Sequence, residues 1–221
     1  VKDITAGLKL INSNYLDDAM SRYMFNDFAK ASELFGKAAE AAATAPLNEV
    51  DTTALYNAGF TAWMVKDYPR AEQFFNKCVE AGYYYEGGEV FAKLADIYNN
   101  TDRKDAARDV LEKGFVAYPQ SQSILIGLIN YYLESKQSPE RLFELIAEAK
   151  KNEPNNASLY YVEGNIYNEL GQKDKAVEAY YKCVEINPEY EFGFIGAGIL
   201  YYNQALEIQD KAAAELDNAK Y

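Results

Sequence analysis

Apolar residues in this chain recur at helical spacing, broken at regular intervals by turn residues, and small side chains share the apolar faces with aromatic ones. The clearest stretch is 157–188, ASLYYVEGNIYNELGQKDKAVEAYYKCVEINP. It predicts a helix, a tight turn at Leu170-Gly171-Gln172, a second helix and a stop at Pro188. Large residues at Tyr160, Tyr167 and Tyr180 alternate with small ones at Gly164, Ala176 and Cys183. Two antiparallel helices can then approach closely, with rings filling the gaps beside the small residues. A pair this short cannot bury its apolar face alone and needs neighbouring pairs.

The rest of the chain supplies them. Ile4, Leu8 and Ile11 form the stripe of an opening helix or the tail of a preceding unit, and Phe25-Asn26-Asp27 makes a turn. Phe28, Ala31, Phe35 and Ala38 face inward on the next helix, which has no stop before Pro46. Leu55, Ala58, Gly59 and Ala62 precede a turn ending in Pro69, then Ala71, Phe75 and Cys78 line the following helix. After the connection YYYEGG come Phe91, Leu94, Ala95 and Tyr98, with Thr101 and Asp102 as capping candidates for a helix carrying Ala107, Leu111 and Gly114. The fourth pair uses Ile126, Ile129, Asn130 and Leu133, then Leu142, Ile146 and Ala149. A sixth first helix carries Phe194, Ala197, Gly198 and Tyr201. From Asn203 the chain reads as one long polar helix with no turn, so the second helix of that pair lies beyond Tyr221 or is absent. Aligned on inner-face residues, the starts fall near Asn12, Thr52, Gly88, Ser123, Ala157 and Glu191. This gives five full pairs, 12–45, 52–85, 88–121, 123–156 and 157–190, and a partial sixth, 191–221.

Charge and composition narrow the chemistry. With 34 acidic and 22 basic residues the formal charge is −12, and no basic run exceeds Lys150-Lys151. A nucleic-acid backbone would be repelled, and a neutral or basic partner suits the field better. The same acidity also keeps a helical protein in solution. The 221 residues include no His, which excludes His-based acid–base catalysis and His-containing metal sites within them. Cys78 and Cys183 hold the same place in their repeats and read as small buried packing residues, not a disulfide. Glu140, Glu144 and Glu148 read as an exposed helix face. No phosphate loop, dinucleotide fingerprint or calcium-loop spacing is present, so neither an enzyme nor a cofactor is expected. No apolar run is long enough to insert in a membrane. The sequence opens at Val1, which reads as a processed or trimmed start and leaves cytoplasm and bacterial periplasm both open.

The chain resembles the tetratricopeptide repeat family, whose units of about 34 residues carry this order of aromatic, small and proline positions. Tyr160, Gly164, Tyr167, Gly171, Ala176, Tyr180 and Pro188 match the pattern, with Glu163 in place of the usual leucine. Phe91, Leu94, Ala95, Tyr98, Ala107 and Pro119 match in the third pair, and Leu55, Gly59, Tyr68, Ala71 and Phe75 in the second. The Tyr/Asn-rich loops look similar to bacterial members. The resemblance implies a single all-α domain, a right-handed superhelical solenoid with a concave face made by the first helix of each pair.

Carrying that face onto this sequence selects Tyr56, Phe60, Trp63 and Met64, then Asp96, Asn99 and Asn100, then Tyr131 and Glu134. The last pairs add Tyr161, Asn165, Asn168, Phe192, Ile199 and Tyr202. Asn165 and Asn168 share a helix face and are suited to holding a partner's backbone. Family members that clamp a C-terminal carboxylate use basic residues where this chain has Leu16, Met20, Tyr56, Asp96, Gly127 and Tyr161. The implied partner is therefore an apolar, aromatic or basic peptide or protein, not an acidic one. The alternative is a structural or assembly subunit that self-associates or docks through repeat ends and convex face. Ala205, Ile208, Ala212 and Leu216 form an oligomer stripe for that role.

Overall fold

The computed structural model describes residues 2–218, with side chains described through residue 215. Among the described residues the chain is eleven α-helices without a strand. They are α1 (Lys2–Met24), α2 (Phe28–Ala43), α3 (Thr52–Met64), α4 (Tyr68–Glu80), α5 (Glu89–Asn100) and α6 (Lys104–Ala117). They continue with α7 (Gln122–Ser135), α8 (Pro139–Asn152), α9 (Ala157–Glu169), α10 (Lys173–Ile186) and α11 (Phe192–Asn218). Two compact units divide the chain, unit 1 over Val1–Tyr131 and unit 2 over Tyr132–Tyr221.

One turn, used repeatedly, sets the pairing. Asn26, Lys66, Asp102 and Gly171 each take a left-handed conformation just past a first helix. In each turn the following amide reaches back across the helix end: Asp27 to the Arg22 carbonyl, Asp67 to Ala62, Arg103 to Tyr98 and Gln172 to Tyr167. This Schellman geometry satisfies the last carbonyls and reverses the chain. Asp27 and Asp67 then cap the next helix, accepting from the Lys30 and Arg70 amides, while Asp51 accepts from Ala54 ahead of α3. Thr101 and Asp102 serve differently from the expected caps of α6. The Thr101 hydroxyl donates to the Ile97 carbonyl of α5, Asp102 supplies the left-handed residue, and Arg103 is the N-cap, its side chain bonded to Glu72 and Thr101 and making no capping bond.

In unit 1, first helices of neighbouring pairs adjoin, α3 against α5, while α4 packs on both. The core joins Phe35, Ala58, Phe75, Cys78 and Leu94, all nearly inaccessible. Close approach depends on Gly59, where an added Cβ would stand 3.0 Å from the Phe75 ring. The buried Ser32 hydroxyl donates to the Ala58 carbonyl at 2.8 Å and accepts from Arg70 Nε at 2.8 Å, so this polar intrusion is satisfied. In α7 the run ILIGLI lacks a clear period, and the structure buries Ile124, Leu125, Leu128 and Ile129. Ile126 and Asn130, expected to face inward, are exposed.

Unit 2 is centred on Tyr180, packed with Ala176, Ala197 and Leu200. α10 packs on α9 and α11, and α9 also meets α11. The inner face of α11 lies one residue from its expected place. Gly193, Gly196, Ala197 and Leu200 are buried, whereas Phe194 and Tyr201 are exposed. The Tyr180 ring explains the shift, because it needs a glycine opposite it on both neighbouring helices (Gly164 and Gly196).

Candidate partner-binding groove

Residues 56, 60 and 63 follow one another along a single stripe of α3. Their rings form a row. Tyr56 and Phe60 stack at 6.0 Å between centroids, and so do Phe60 and Trp63. Tyr85, from the loop before α5, lies flat on Tyr56 at 4.0 Å. The row borders a groove of about 390 Å3, whose other walls include Met20 and Tyr23 of α1, Asn57 of α3 and Glu89 of α5.

Polar contacts fix the far end of the row. The Trp63 indole N–H donates to Asp96 Oδ2 at 2.6 Å, and Asn100 Nδ2 donates to the Asp96 carbonyl and Oδ1. The Lys93 ammonium sits 3.5 Å from the Trp63 ring centroid and 5.4 Å from that of Phe60, a cation–π arrangement. It also lies 3.5 Å from Glu89 Oε1. Burial, and then the neighbouring Glu89 carboxylate, push the Tyr56 hydroxyl well above its ordinary pKa. Tyr56 is itself 5% exposed, so it forms the groove's inner wall, not its rim.

Tyr85 carries backbone strain. Its φ of 57° with ψ of −179° lies in a region that essentially only glycine occupies. Its carbonyl accepts from Gly88 and the Tyr84 carbonyl from Val90, while the Tyr84 ring stacks on Phe91 at 4.8 Å. The turn is thereby held at both ends. Tyr85→Gly is expected to be more stable than Tyr85→Ala by about 1–3 kcal/mol, because only glycine relaxes this conformation. Urea unfolding of the two variants measures the difference, and equal midpoints would remove the strain.

The sequence-selected residues divide into separate places. Tyr56, Phe60, Trp63, Asp96 and Asn100 form one connected set, with Met64 and Asn99 exposed beside it. Tyr131 is elsewhere: its hydroxyl donates to Asp105 and its ring lies under Arg108, both on α6. Glu134 is exposed on α7 within unit 2. Also in unit 2, Tyr161 contacts Tyr180, Tyr190 and Phe192 at centroid distances of 6.0, 6.3 and 5.7 Å. Asn165 Oδ1 accepts from the Tyr180 hydroxyl at 2.8 Å, so part of its amide serves the core. Asn168 is half-buried, and Ile199 and Tyr202 are exposed. Ala205, Ile208 and Ala212 are exposed along α11, and the Leu216 side chain lies outside the described residues. Sequence reasoning passed over Tyr85, Glu89 and Lys93. The YYYEGG connection signalled a turn, but nothing in it told which ring would meet α3.

Among the described residues no helix is long and apolar enough to cross a membrane, and no group of three His, Cys, Asp or Glu side chains is placed to hold a metal ion. Both cysteines are buried and free.

Antiparallel helix pairs sharing one turn geometry, with first helices side by side, define an all-α helical-repeat protein of the solenoid class. Residues 157–190 match the tetratricopeptide repeat family profile. The chain is thus similar to the tetratricopeptide repeat family, whose profile matches one of its helix pairs. It is 24% identical over 172 residues to the TPR repeat-containing protein MJ1428 of Methanocaldococcus jannaschii, covering 71% of this chain and 30% of that protein. The chain thus spans less than a third of that relative's length. Among solved structures it is similar to YrrB, a TPR protein with an unusual peptide-binding site, with a TM-score of 0.61 at 20% identity over 81% of this chain and 88% of that one. A tetratricopeptide repeat protein from Parabacteroides merdae superposes with a TM-score of 0.68 at 13% identity, over 93% of this chain and 78% of its own. These structural likenesses carry the fold, and no enzymatic family is indicated.

Proposed function

We propose that this chain is a non-catalytic protein-interaction module whose unit-1 groove binds an extended segment of a protein partner. The observation that carries this reading is the ring row Tyr85–Tyr56–Phe60–Trp63 beside an open groove. Its rings are already ordered by stacking and by the Trp63–Asp96 bond, so little side-chain entropy is lost when a ligand lies against them. Aromatic residues of this kind dominate binding energy where they are rigid and well packed. A peptide-binding site is also what YrrB is described as having.

Affinity capture with the native protein and a Phe60→Ala/Trp63→Ala variant, shown folded by circular dichroism, tests the proposal. A partner held by the native form is expected to be lost, with binding weakened at least tenfold when that partner is purified. Retention of the same partner by both forms would overturn it.

A second reading has its own observation. Phe192, Ile195, Ile199, Tyr202 and Leu206 are all exposed on α11 at alternating three- and four-residue spacing, the seam pattern of a helix that packs on another. This face supports the assembly role. Under it, native protein self-associates in sedimentation velocity and Ile199→Asp disperses it, whereas the Phe60/Trp63 variant leaves the association unchanged.

A further inference from the structure

Among the described residues lining the unit-1 groove, Glu89 alone carries a formal charge. Around it the lining is aromatic, aliphatic or neutral. Its side chain is 33% exposed, pairs with Lys93 at 3.5 Å and accepts from the Tyr56 hydroxyl, while the Lys93 ammonium also lies over the Trp63 ring. The carboxylate is thereby held against the ring wall with part of its surface open to the groove. Lys93 also demonstrates the chemistry of this wall, which already holds one cation against Trp63 and Phe60.

Tyr85 adds a second, independent observation. A non-glycine residue at φ 57°, ψ −179° keeps its ring flat on Tyr56 and covers it. Backbone strain at a ring over a groove is a common feature of ligand clamps. If Tyr85 moves off, strain is relieved and the covered face of Tyr56 opens beside Glu89.

We infer that the groove seats an arginine side chain of an extended peptide, its guanidinium paired with the Glu89 carboxylate and laid against Tyr56, with Tyr85 displaced to admit it. The inference rests on the reading of this groove as the partner site and specifies its ligand. A guanidinium is planar, offers several N–H donors to a carboxylate and is more weakly hydrated than an ammonium, so it suits a ring-walled groove better than lysine does. The net charge of −12 favours the approach of such a segment and disfavours an acidic one.

A phage-displayed library of random dodecapeptides, selected on the native protein, provides the probe. Selected peptides are then synthesised, and each arginine is also made as citrulline, its neutral isostere. Anisotropy titrations are run against native protein, Glu89→Gln, Phe60→Ala and Tyr85→Gly, with thermal melts confirming that each variant is folded. Selected peptides are expected to carry arginine. Citrulline and Glu89→Gln are each expected to weaken binding about tenfold, with no further loss when combined. Tyr85→Gly, which leaves Tyr56 uncovered, is expected to speed association and keep the arginine dependence.

Peptides that need Phe60 but are indifferent to Glu89→Gln and to citrulline would overturn the arginine site and leave the groove standing. Peptides indifferent to Phe60→Ala as well, or no enrichment at all, would overturn the groove reading together with it. An unchanged association rate in Tyr85→Gly would remove the displacement of Tyr85.

Discussion

Tyr180→Ala is expected to destabilise the packing of α9, α10 and α11 by about 3–5 kcal/mol, the range for removing a large buried ring. The Tyr180 ring is 2% exposed and reaches into both neighbouring helices. An added Cβ would stand 2.5 Å from it at Gly164 of α9 and 2.6 Å from it at Gly196 of α11. One ring thus fills the space that two glycines leave, and truncation opens that space in a small core with few other large side chains to collapse into it. Gly164→Leu attacks the same contact from the opposite side and is expected to destabilise comparably, because the ring has no free direction to retreat. Tyr180→Phe keeps the ring and loses only the bond to Asn165, worth about 1 kcal/mol. Hydrogen exchange resolved by segment is the measurement. Protection is expected to fall across 157–205 in Tyr180→Ala while 28–100 keeps its own, since repeat stability is built from neighbouring contacts. Native protection in α9 of Tyr180→Ala would show that the ring is not the centre of this core.

The repeat register was legible because the turn recurs. The left-handed residues at 26, 66, 102 and 171 are separated by the same intervals as the aligned repeat starts at Asn12, Thr52, Gly88 and Ala157. Three of these four residues are not glycine, so a search for turn glycines would have found only Gly171. The helical faces were legible where large and small residues alternate, as at Leu55, Ala58, Gly59 and Ala62. They were lost where they do not. Every position of ILIGLI is apolar or glycine, and its inward side is decided by packing, which no period in the run records.

The groove was legible in part for a similar reason. Tyr56, Phe60 and Trp63 share one stripe of one helix, so local spacing places them together. Lys93, Glu89 and Tyr85 join them only through the approach of α5 and its preceding loop to α3, a contact between residues about thirty positions apart. Asn165 shows the converse. Its spacing from Asn168 suggested a free amide pair, yet a tyrosine fifteen residues away on the partner helix claims its oxygen.

Alkaline pH is the second large perturbation, and its direction follows from buried acids. Burial pushes the Cys78 thiol from its ordinary 9.0 up to about 12. Burial, with Tyr161 beside it, pushes the Tyr180 hydroxyl from 10.0 up to about 12. Burial and Glu89 raise Tyr56 as well. In the unfolded chain these groups ionise at their ordinary values. Above about pH 9 the unfolded state therefore releases protons that the folded state retains, and binds fewer of them, so the free energy of unfolding falls as pH rises. The stability these groups contribute is fully present below about pH 9 and is lost progressively towards pH 12. Each pH unit over which one group is held neutral corresponds to about 1.4 kcal/mol, so Cys78 over about three units and Tyr180 over about two together account for a loss on the order of 7 kcal/mol at the top of the window. Urea midpoints measured from pH 7 to 11.5 are expected to be level to about pH 9 and then to fall steeply. Cys78→Ala lowers the midpoint modestly at pH 7 but flattens the first part of that fall, since its thiol is the earliest of the three to ionise in the unfolded chain. The same burial keeps both thiols from a disulfide reagent at pH 8 until urea unfolds the protein. Prompt reaction of native Cys78, or a midpoint that stays level to pH 11, would contradict the account of how this core is closed.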